Sequence, residues 1–408
     1  MYEFNLSPAT WMHIDFNSCF ATIEQQANPL LRNKPIAVAA YQTENGCILA
    51  PSIEAKRFGV KTGMKVKEGR KLCPEIIIMA GDVRKYRFAH NLLRGLIQEY
   101  SNEFWPKSID EFIVNFAGYP VLNQGYEALG LEIKQRIKEI IGDWMRVSIG
   151  FGPNRFLAKL AASIRKPDGL FEINHTNFMD IYTPLKLDDL NGIARRNTIR
   201  LNSVGIYSVP AFYSASRDTI RKAFGSSVAA TYWYHTLRGW QIDALEFERR
   251  SFSSQYSPPV KITNIKEAEP VIMKLAQRTA SRMRREGFVS KGVSFWSTFK
   301  DGSKWGKHCK LKDIIFETGE IYQQTYQLMQ ECPFPSPVRT ISVGCIDVVK
   351  LTDWQFDLFG EVNKKKRLSD AVDAVNNKFG DYTVTLGTML GTKDLVPDRI
   401  SFGKVKEL

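Results

Sequence analysis

The chain has 408 residues, more than one hydrophobic core ordinarily organises, which predicts about two to four domains. Hydrophobic residues at 44% and charged residues at 24% exclude a disordered chain, and no stretch approaches the ~18 consecutive apolar residues of a membrane span. Lysine and arginine outnumber aspartate and glutamate by 56 to 43, a formal charge of +13 that favours a polyanionic partner. The six cysteines (Cys19, Cys47, Cys73, Cys309, Cys332 and Cys345) are scattered, with no CxxC pair. That spacing argues against a zinc site and a disulfide framework and favours a reducing compartment. The amino terminus has no basic start followed by an apolar run, so the chain reads as cytoplasmic, with no membrane association.

In chain order, residues 11–16 form a short apolar run that predicts a buried strand. Tyr86, Ala89, Leu93, Leu96, Ile97 and Tyr100 recur at helical spacing and predict a helix over 85–100. Strand-like runs near 103–105 and 111–116 flank Ser108-Ile109-Asp110. Tyr126, Leu129, Ile133, Ile137, Ile140 and Ile141 mark a second amphipathic helix, and 145–151 another strand. Strand, helix, two strands, helix, strand is the split βαβ order. An insertion over about 28–80 separates its first strand from its first long helix.

Residues 176–245 read as short helices and turns, and 246–260, rich in Arg, Ser and Pro, as a linker. The split βαβ order then recurs, with a strand near 252–256, a helix at about 267–286, strands near 291–299 and 305–310, a helix near 317–330 and a strand at 338–346. Residues 256–350 carry 15 basic against 9 acidic side chains, whereas 351–408 carry 9 of each, so the second unit is the better candidate to follow a phosphate backbone. In its last strand Ile341, Val343 and Cys345 alternate with Thr340, Ser342 and Gly344, predicting one face on helices and one small, polar face.

Three carboxylates stand out. Asp15 ends the first apolar strand, and Asp110 with Glu111 lies between two others. A carboxylate at the end of a buried strand needs a partner. Mg²⁺ suits that role, because it takes one or two carboxylates together with substrate phosphates. Two such ions about 3.5–4 Å apart can activate an attacking hydroxyl and stabilise a leaving pyrophosphate. By themselves such residues are more often a solvated acidic cluster than a catalytic one. Adjacent residues on a regular strand point to opposite faces, so Asp110 and Glu111 share a site only where the backbone bends or one side chain reaches round.

These carboxylates sit inside an ordered set of motifs. HIDFNSCFATIE (13–24), NPLLRNKPIAV (28–38), EAKRFGVKTGM (54–64), KLCPEIII (71–78), KSIDEF (107–112), SIGFGPNRFLAKLAASIRKPDGL (148–170) and LNSVGIYSV (201–209) closely resemble the Y-family, or translesion, DNA polymerases of the DinB and UmuC type. The resemblance runs from about residue 11 to 403. It implies an α+β multidomain fold, a right-hand polymerase. A ferredoxin-like palm (1–17 and 81–175) holds small fingers (18–80). A helical thumb with helix-hairpin-helix turns (176–245), a linker with a βαββαβ little finger (246–350) and a C-terminal tail (351–408) follow.

The resemblance also implies a reaction and its residues. A primer 3′-hydroxyl attacks the α-phosphate of a deoxynucleoside triphosphate on primer–template DNA and releases pyrophosphate. The family's metal ligands fall on Asp15, Asp110 and Glu111, with the main-chain carbonyl of Phe16, and imply two Mg²⁺ ions, with Mn²⁺ as a substitute. Phe20 matches the steric gate that rejects a ribose 2′-hydroxyl, and Lys166 the lysine on the triphosphate. Where the family often places Tyr and Arg in the fingers, this chain has Ile53 and Lys56. Lys56 can neutralise phosphate without Arg's bidentate fork, a variant closer to the UmuC-like branch.

In the thumb, Gly205 and Asn191-Gly192-Ile193-Ala194 match the phosphate-gripping turns, with Ala194 where a second Gly is usual. Gln355-Phe356-Asp357-Leu358-Phe359 resembles the QxxLF peptide that docks bacterial polymerases on the sliding clamp, with Gln355, Leu358 and Phe359 as its anchors. A non-catalytic relative would lack the carboxylates. A nuclease or cyclase on a similar palm would not need the thumb turns, the second basic unit or the clamp peptide. Small fingers and no apparent proofreading domain argue against high-fidelity replication and for copying past damage.

Overall fold

The structure is a computed structural model that describes residues 3–242, 249–353, 361–380, 382–389 and 395–396. The chain divides into two compact units, residues 1–244 with 399–408, and residues 245–398. The Gln355–Phe359 peptide lies outside the described residues.

The first unit begins with β1 (Trp11–Phe16) and α1 (Cys19–Ala27). The insertion that follows has a sheet of its own. Its strands are β2 (Ile36–Ala39), β3 (Ile48–Pro51) and β4 (Ile77–Ala80), with α2 (Ile53–Arg57) and α3 (Val66–Leu72) between the last two. β2 is central, antiparallel to β3 and parallel to β4. Ile48, Val60, Val66 and Cys73 make a small separate core. Ser52 caps α2 by accepting from Ala55 N at 3.2 Å.

The chain then forms α4 (Val83–Tyr100), β5 (Phe104–Pro106), β6 (Glu111–Asn115), α5 (Tyr126–Ile140), β7 (Val147–Gly152), α6 (Arg155–Ile164) and β8 (Leu170–Glu172). Their sheet runs β5-β6-β1-β7-β8, with β1 central and antiparallel to both neighbours. Leu93 and Ile97 of α4 and Leu129, Ile133 and Ile137 of α5 bury the helical stripes read from sequence against Met12, Ile14, Phe112, Val114, Ile149 and Phe151. Asp82 starts α4 two residues earlier than the apolar spacing indicates, its carboxylate accepting from Arg84 N at 3.0 Å.

The other face of this sheet receives α6, and two glycines set how closely. A Cβ on Gly150 would stand 2.1 Å from the backbone nitrogen of Ala162, and one on Gly152 2.6 Å from that of Ala158. Neither neighbour is a flexible side-chain end, so a larger residue at either position would push the helix off the strands. Asn154 caps α6 and donates to Thr236 O at 2.8 Å and Trp240 O at 3.2 Å. That ties the sheet to the short helices α7 (Phe178–Tyr182), α8 (Arg195–Asn202), α9 (Val209–Ser214), α10 (Arg217–Phe224) and α11 (Ser227–Thr236), which share a core of Leu201, Phe212, Ile220 and Trp233.

The second unit contains β9 (Ser251–Tyr256), α12 (Ile265–Arg285), β10 (Phe288–Phe299), β11 (Lys304–Ile315), α13 (Thr318–Gln330), β12 (Val338–Lys350) and α14 (Glu361–Phe379). Its antiparallel sheet has the order β11-β10-β12-β9. Ile341, Val343 and Cys345 are buried against α12, with Phe295 and Phe252 beside them, as the alternation predicts. β10 begins three residues before the expected 291, because a bulge between Ser290 and Gly292 breaks the period of two that sequence reading follows. The presumed linker contains β9, whose Phe252, Ser254 and Tyr256 face inward. Helix α14 packs on this unit, with Arg284 gripping its Asp373 through two hydrogen bonds of 2.7 and 2.8 Å.

Candidate active site

β1 carries the centre of the site. Its alternation sends Met12, Ile14 and Phe16 into the core and sets Trp11, His13 and Asp15 on the face that α6 covers. Register then brings distant residues together. Asp15 lies opposite Glu111 of β6 and Ser148 of β7, and His13 opposite Ile113 and Gly150. Directly opposed residues in an antiparallel pair share a face, so Asp15 and Glu111 meet without any reaching round.

Asp110 precedes β6 in a bend over 108–110, so strand alternation does not govern its side chain. Its carbonyl accepts from Phe16 N at 3.0 Å, and its carboxylate accepts from the Ser108 hydroxyl. Through that bend Asp110 and Asp15 line one cavity, together with Phe16, Phe20, Lys56 and Lys166. Glu111 adjoins this group through Asp15. Donor atoms of His13, Asp15 and Glu111 all lie within 4.8 Å of one another, the one such cluster of possible metal ligands among the described residues.

Two lysines neutralise the carboxylates. Lys166 is ion-paired with Asp15, and Lys159 Nζ stands 2.8 Å from Glu111 Oε2. Lys159 reaches Glu111 from α6. Lys166 is held by the turn that follows it, where Asp168 N donates to Asn17 Oδ1 at 2.6 Å and the Asp168 carboxylate pairs with Lys134 at 3.1 Å. Asn17 in turn donates to Ser148 Oγ at 3.0 Å. The exit of β1 and the RKPDG turn are therefore one hydrogen-bonded structure.

Burial dominates the electrostatics. It pushes the Asp15 carboxyl from an ordinary 3.8 to about 6, against the pull of Lys166 and with Asp110 and Glu111 adding to the rise. Asp110 is raised as well, chiefly by burial, and the Ser108 hydrogen bond opposes the rise. Burial holds the His13 imidazole well below its usual value, reinforced by Lys159, Lys166 and Lys107. Lys56 is exposed overall, yet its ammonium is lowered, first by desolvation and then by Lys166. Buried carboxylates with raised pKa values beside concentrated cations mark a candidate functional site.

Phe20 is 3% exposed and stacks on Tyr86, ring centroids 4.3 Å apart and 15° from parallel. The Tyr86 hydroxyl donates to Glu24 at 2.9 Å, and Glu24 also pairs with Lys85 at 2.7 Å. The Phe20 ring is thus clamped from behind. Ile53 is half-buried on α2 and offers the cavity no polar group. At the expected turns on either side of α8, Gly192 and Gly205 take φ of 94° and 84°, a conformation that favours glycine.

Sequence reasoning missed His13, Lys159 and Asn17. The signals were present. His13 lies two residues before Asp15 on the same strand face, and Lys159 lies in an apolar-periodic stretch, residues 155–164, that forms α6.

The impB/mucB/samB family matches residues 14–163, and that family's C-terminal domain matches residues 249–358. DNA polymerase IV of Pelotomaculum thermopropionicum is 30% identical over 394 residues, spanning 94% of this chain and 96% of that protein. DNA polymerase IV of Moorella thermoacetica is 31% identical over 380 residues, spanning 91% and 93%. Among solved structures, the Y-family DNA polymerase chimera Dbh-Dpo4(243-245)-Dbh superposes with a TM-score of 0.74 at 24% identity, covering 83% of this chain and 99% of that one. An insertion ternary complex of Dbh DNA polymerase gives 0.58 at 22% identity, with the same coverage. Those two share the fold, a right hand of palm, fingers, thumb and little finger. With relatives this similar along nearly their whole length, the chain belongs to the impB/mucB/samB family, the Y-family DNA polymerases.

Proposed function

We propose that this chain extends a primer 3′-hydroxyl with deoxynucleotides on damaged or undamaged template DNA. The observation that carries the reading is a single cavity lined by Asp15, Asp110, Phe20, Lys56 and Lys166, with Glu111 opposite Asp15 in register. Asp15, Asp110 and Glu111, with the Phe16 carbonyl, would hold two divalent ions, Mg²⁺ or Mn²⁺, which when bound make the hydroxyl a nucleophile and stabilise the leaving pyrophosphate. The donor set fits such ions. It is oxygen-rich, and burial leaves its carboxylates in want of positive charge.

The chain's own side chains supply the rest. Lys166, now spent on Asp15, and Lys56 are the cations available to a triphosphate. Phe20, fixed by Tyr86, sets a wall against the sugar. The glycine turns at 192 and 205 suit backbone grip on phosphate. The Gln355–Phe359 peptide is assigned to a sliding clamp on its sequence alone.

Primer extension on an undamaged and a lesion-bearing template tests the reading. Extension in Mg²⁺ or Mn²⁺ is expected, with Asp110→Ala reducing it by roughly 10³-fold or more. Folded, DNA-binding protein inactive in both metals would overturn the proposal. Phe20→Ala opens the wall and raises ribonucleotide over deoxynucleotide incorporation by roughly 10-fold or more; an unchanged sugar preference removes Phe20 as the gate. Deleting residues 355–359 lowers clamp-stimulated synthesis and spares basal synthesis; equal losses count against docking.

The raised Asp15 carboxyl has a stability consequence. Its folded pKa of about 6 lies above the ordinary 3.8, so the protonated form is favoured by folding. The contribution is greatest at low pH and is lost as pH rises through this window. Asp15→Asn removes the penalised charge. Without metal at pH 7.5 its melting temperature should exceed the wild type's by a few degrees, and the gap should close as pH falls below about 6. A gap that widens on acidification contradicts the assignment.

A further inference from the structure

His13 is 1% exposed, and neither ring nitrogen makes a hydrogen bond among the described residues. Burying both nitrogens without partners is unfavourable, and an apolar ring would fill the same space without that cost. His13 shares the α6-covered face of β1 with Asp15, and a nitrogen of its ring lies within 4.8 Å of carboxylate oxygens of both Asp15 and Glu111. A buried imidazole lone pair with no hydrogen-bond partner among the described residues, beside two carboxylates, is suited to a cation.

We propose that His13 is a nitrogen ligand to a divalent ion held between Asp15 and Glu111, which gives this centre a preference for first-row transition ions over Mg²⁺. This rests on the reading of Asp15 and Glu111 as metal ligands. An all-oxygen set suits Mg²⁺, whereas imidazole binds transition ions better than it binds Mg²⁺. The position of the ligand follows from strand geometry, since residues two apart on one strand stand side by side on the same face.

The test uses the full chain, metal-free and without nucleotide, titrated with Mn²⁺ and separately with Mg²⁺, and the Mn²⁺ complex examined by electron spin-echo spectroscopy. In the wild type, modulation from a directly bonded ¹⁴N is expected. His13→Phe removes that modulation and lowers the ratio of Mn²⁺ to Mg²⁺ affinity by roughly 10-fold. His13→Asn, which substitutes an oxygen donor, also loses the nitrogen signature, with Mn²⁺ binding weakened less than in His13→Phe. Wild-type Mn²⁺ binding with no ¹⁴N coupling overturns the proposal, and because it needs no variant it stands whatever the substitutions do to folding. An affinity ratio unchanged in folded His13→Phe overturns it too. Asp15→Asn separates the two readings. If it abolishes Mn²⁺ binding while the His13 variants change nothing, only the nitrogen ligand fails; if Asp15→Asn binds Mn²⁺ as the wild type does, the metal centre itself fails.

Discussion

The antiparallel register of β1 against β6 sets Asp15 opposite Glu111, and most of the site follows from it. A shift of one residue would turn Asp15 into the core and Ile14 or Phe16 out of it. The core forbids that shift. Met12, Ile14 and Phe16 interlock with Phe112, Val114, Val147 and Ile149 over α4 and α5, and all are essentially excluded from solvent. Register is thus fixed by hydrophobic burial on one face and used for chemistry on the other. The two faces cannot vary independently.

The carboxylates so gathered repel one another, and the fold answers with lysines from two separate elements. Lys159 comes from a helix whose approach depends on the bare backbone at Gly150 and Gly152, and Lys166 from a turn anchored through Asn17 and Ser148. Neither pair is sealed from water, since the lysine side chains are 35% and 39% exposed. In each pair the lysine keeps partial contact with water while the carboxylate is more buried. Under the proposed function, Lys166 would become available to a triphosphate when Asp15 holds a divalent ion instead.

Much of this was legible in the sequence, and the gaps have physical causes. Helices α4 and α5 were plain because a one-sided stripe repeats over several turns. The doubt about Asp110 and Glu111 was sound for a regular strand; it dissolved because the strand starts at Glu111 and the preceding residues bend. The three-stranded sheet of the insertion was invisible because its strands are four residues each, too short for a period to register. His13 escaped because attention to acidic residues passes over a neutral ring, although the period of two already placed it beside Asp15. The bulge in β10 shows how one extra residue hides strand continuity from a pattern reader.

The second unit is built around a single antiparallel sheet. Its sheet buries Val293, Phe295, Ile341 and Val343 against helices, and register fixes what stands on the other face. Ser253 and Gln255 of β9, Gly344 and Ser342 of β12, Ser294 and Trp296 of β10, and His308 and Lys310 of β11 share it. Small residues line this face on β12, Trp296 stands out from β10 at 52% exposed, and Lys310 lies on the edge strand β11. Under the proposed function, basic residues on such a face would give contacts that ignore base identity and weaken with salt. Such contacts would, under that function, suit a damaged template. Base-specific hydrogen bonds would be lost at the very position where the template is damaged, whereas phosphates keep their spacing when the base does not.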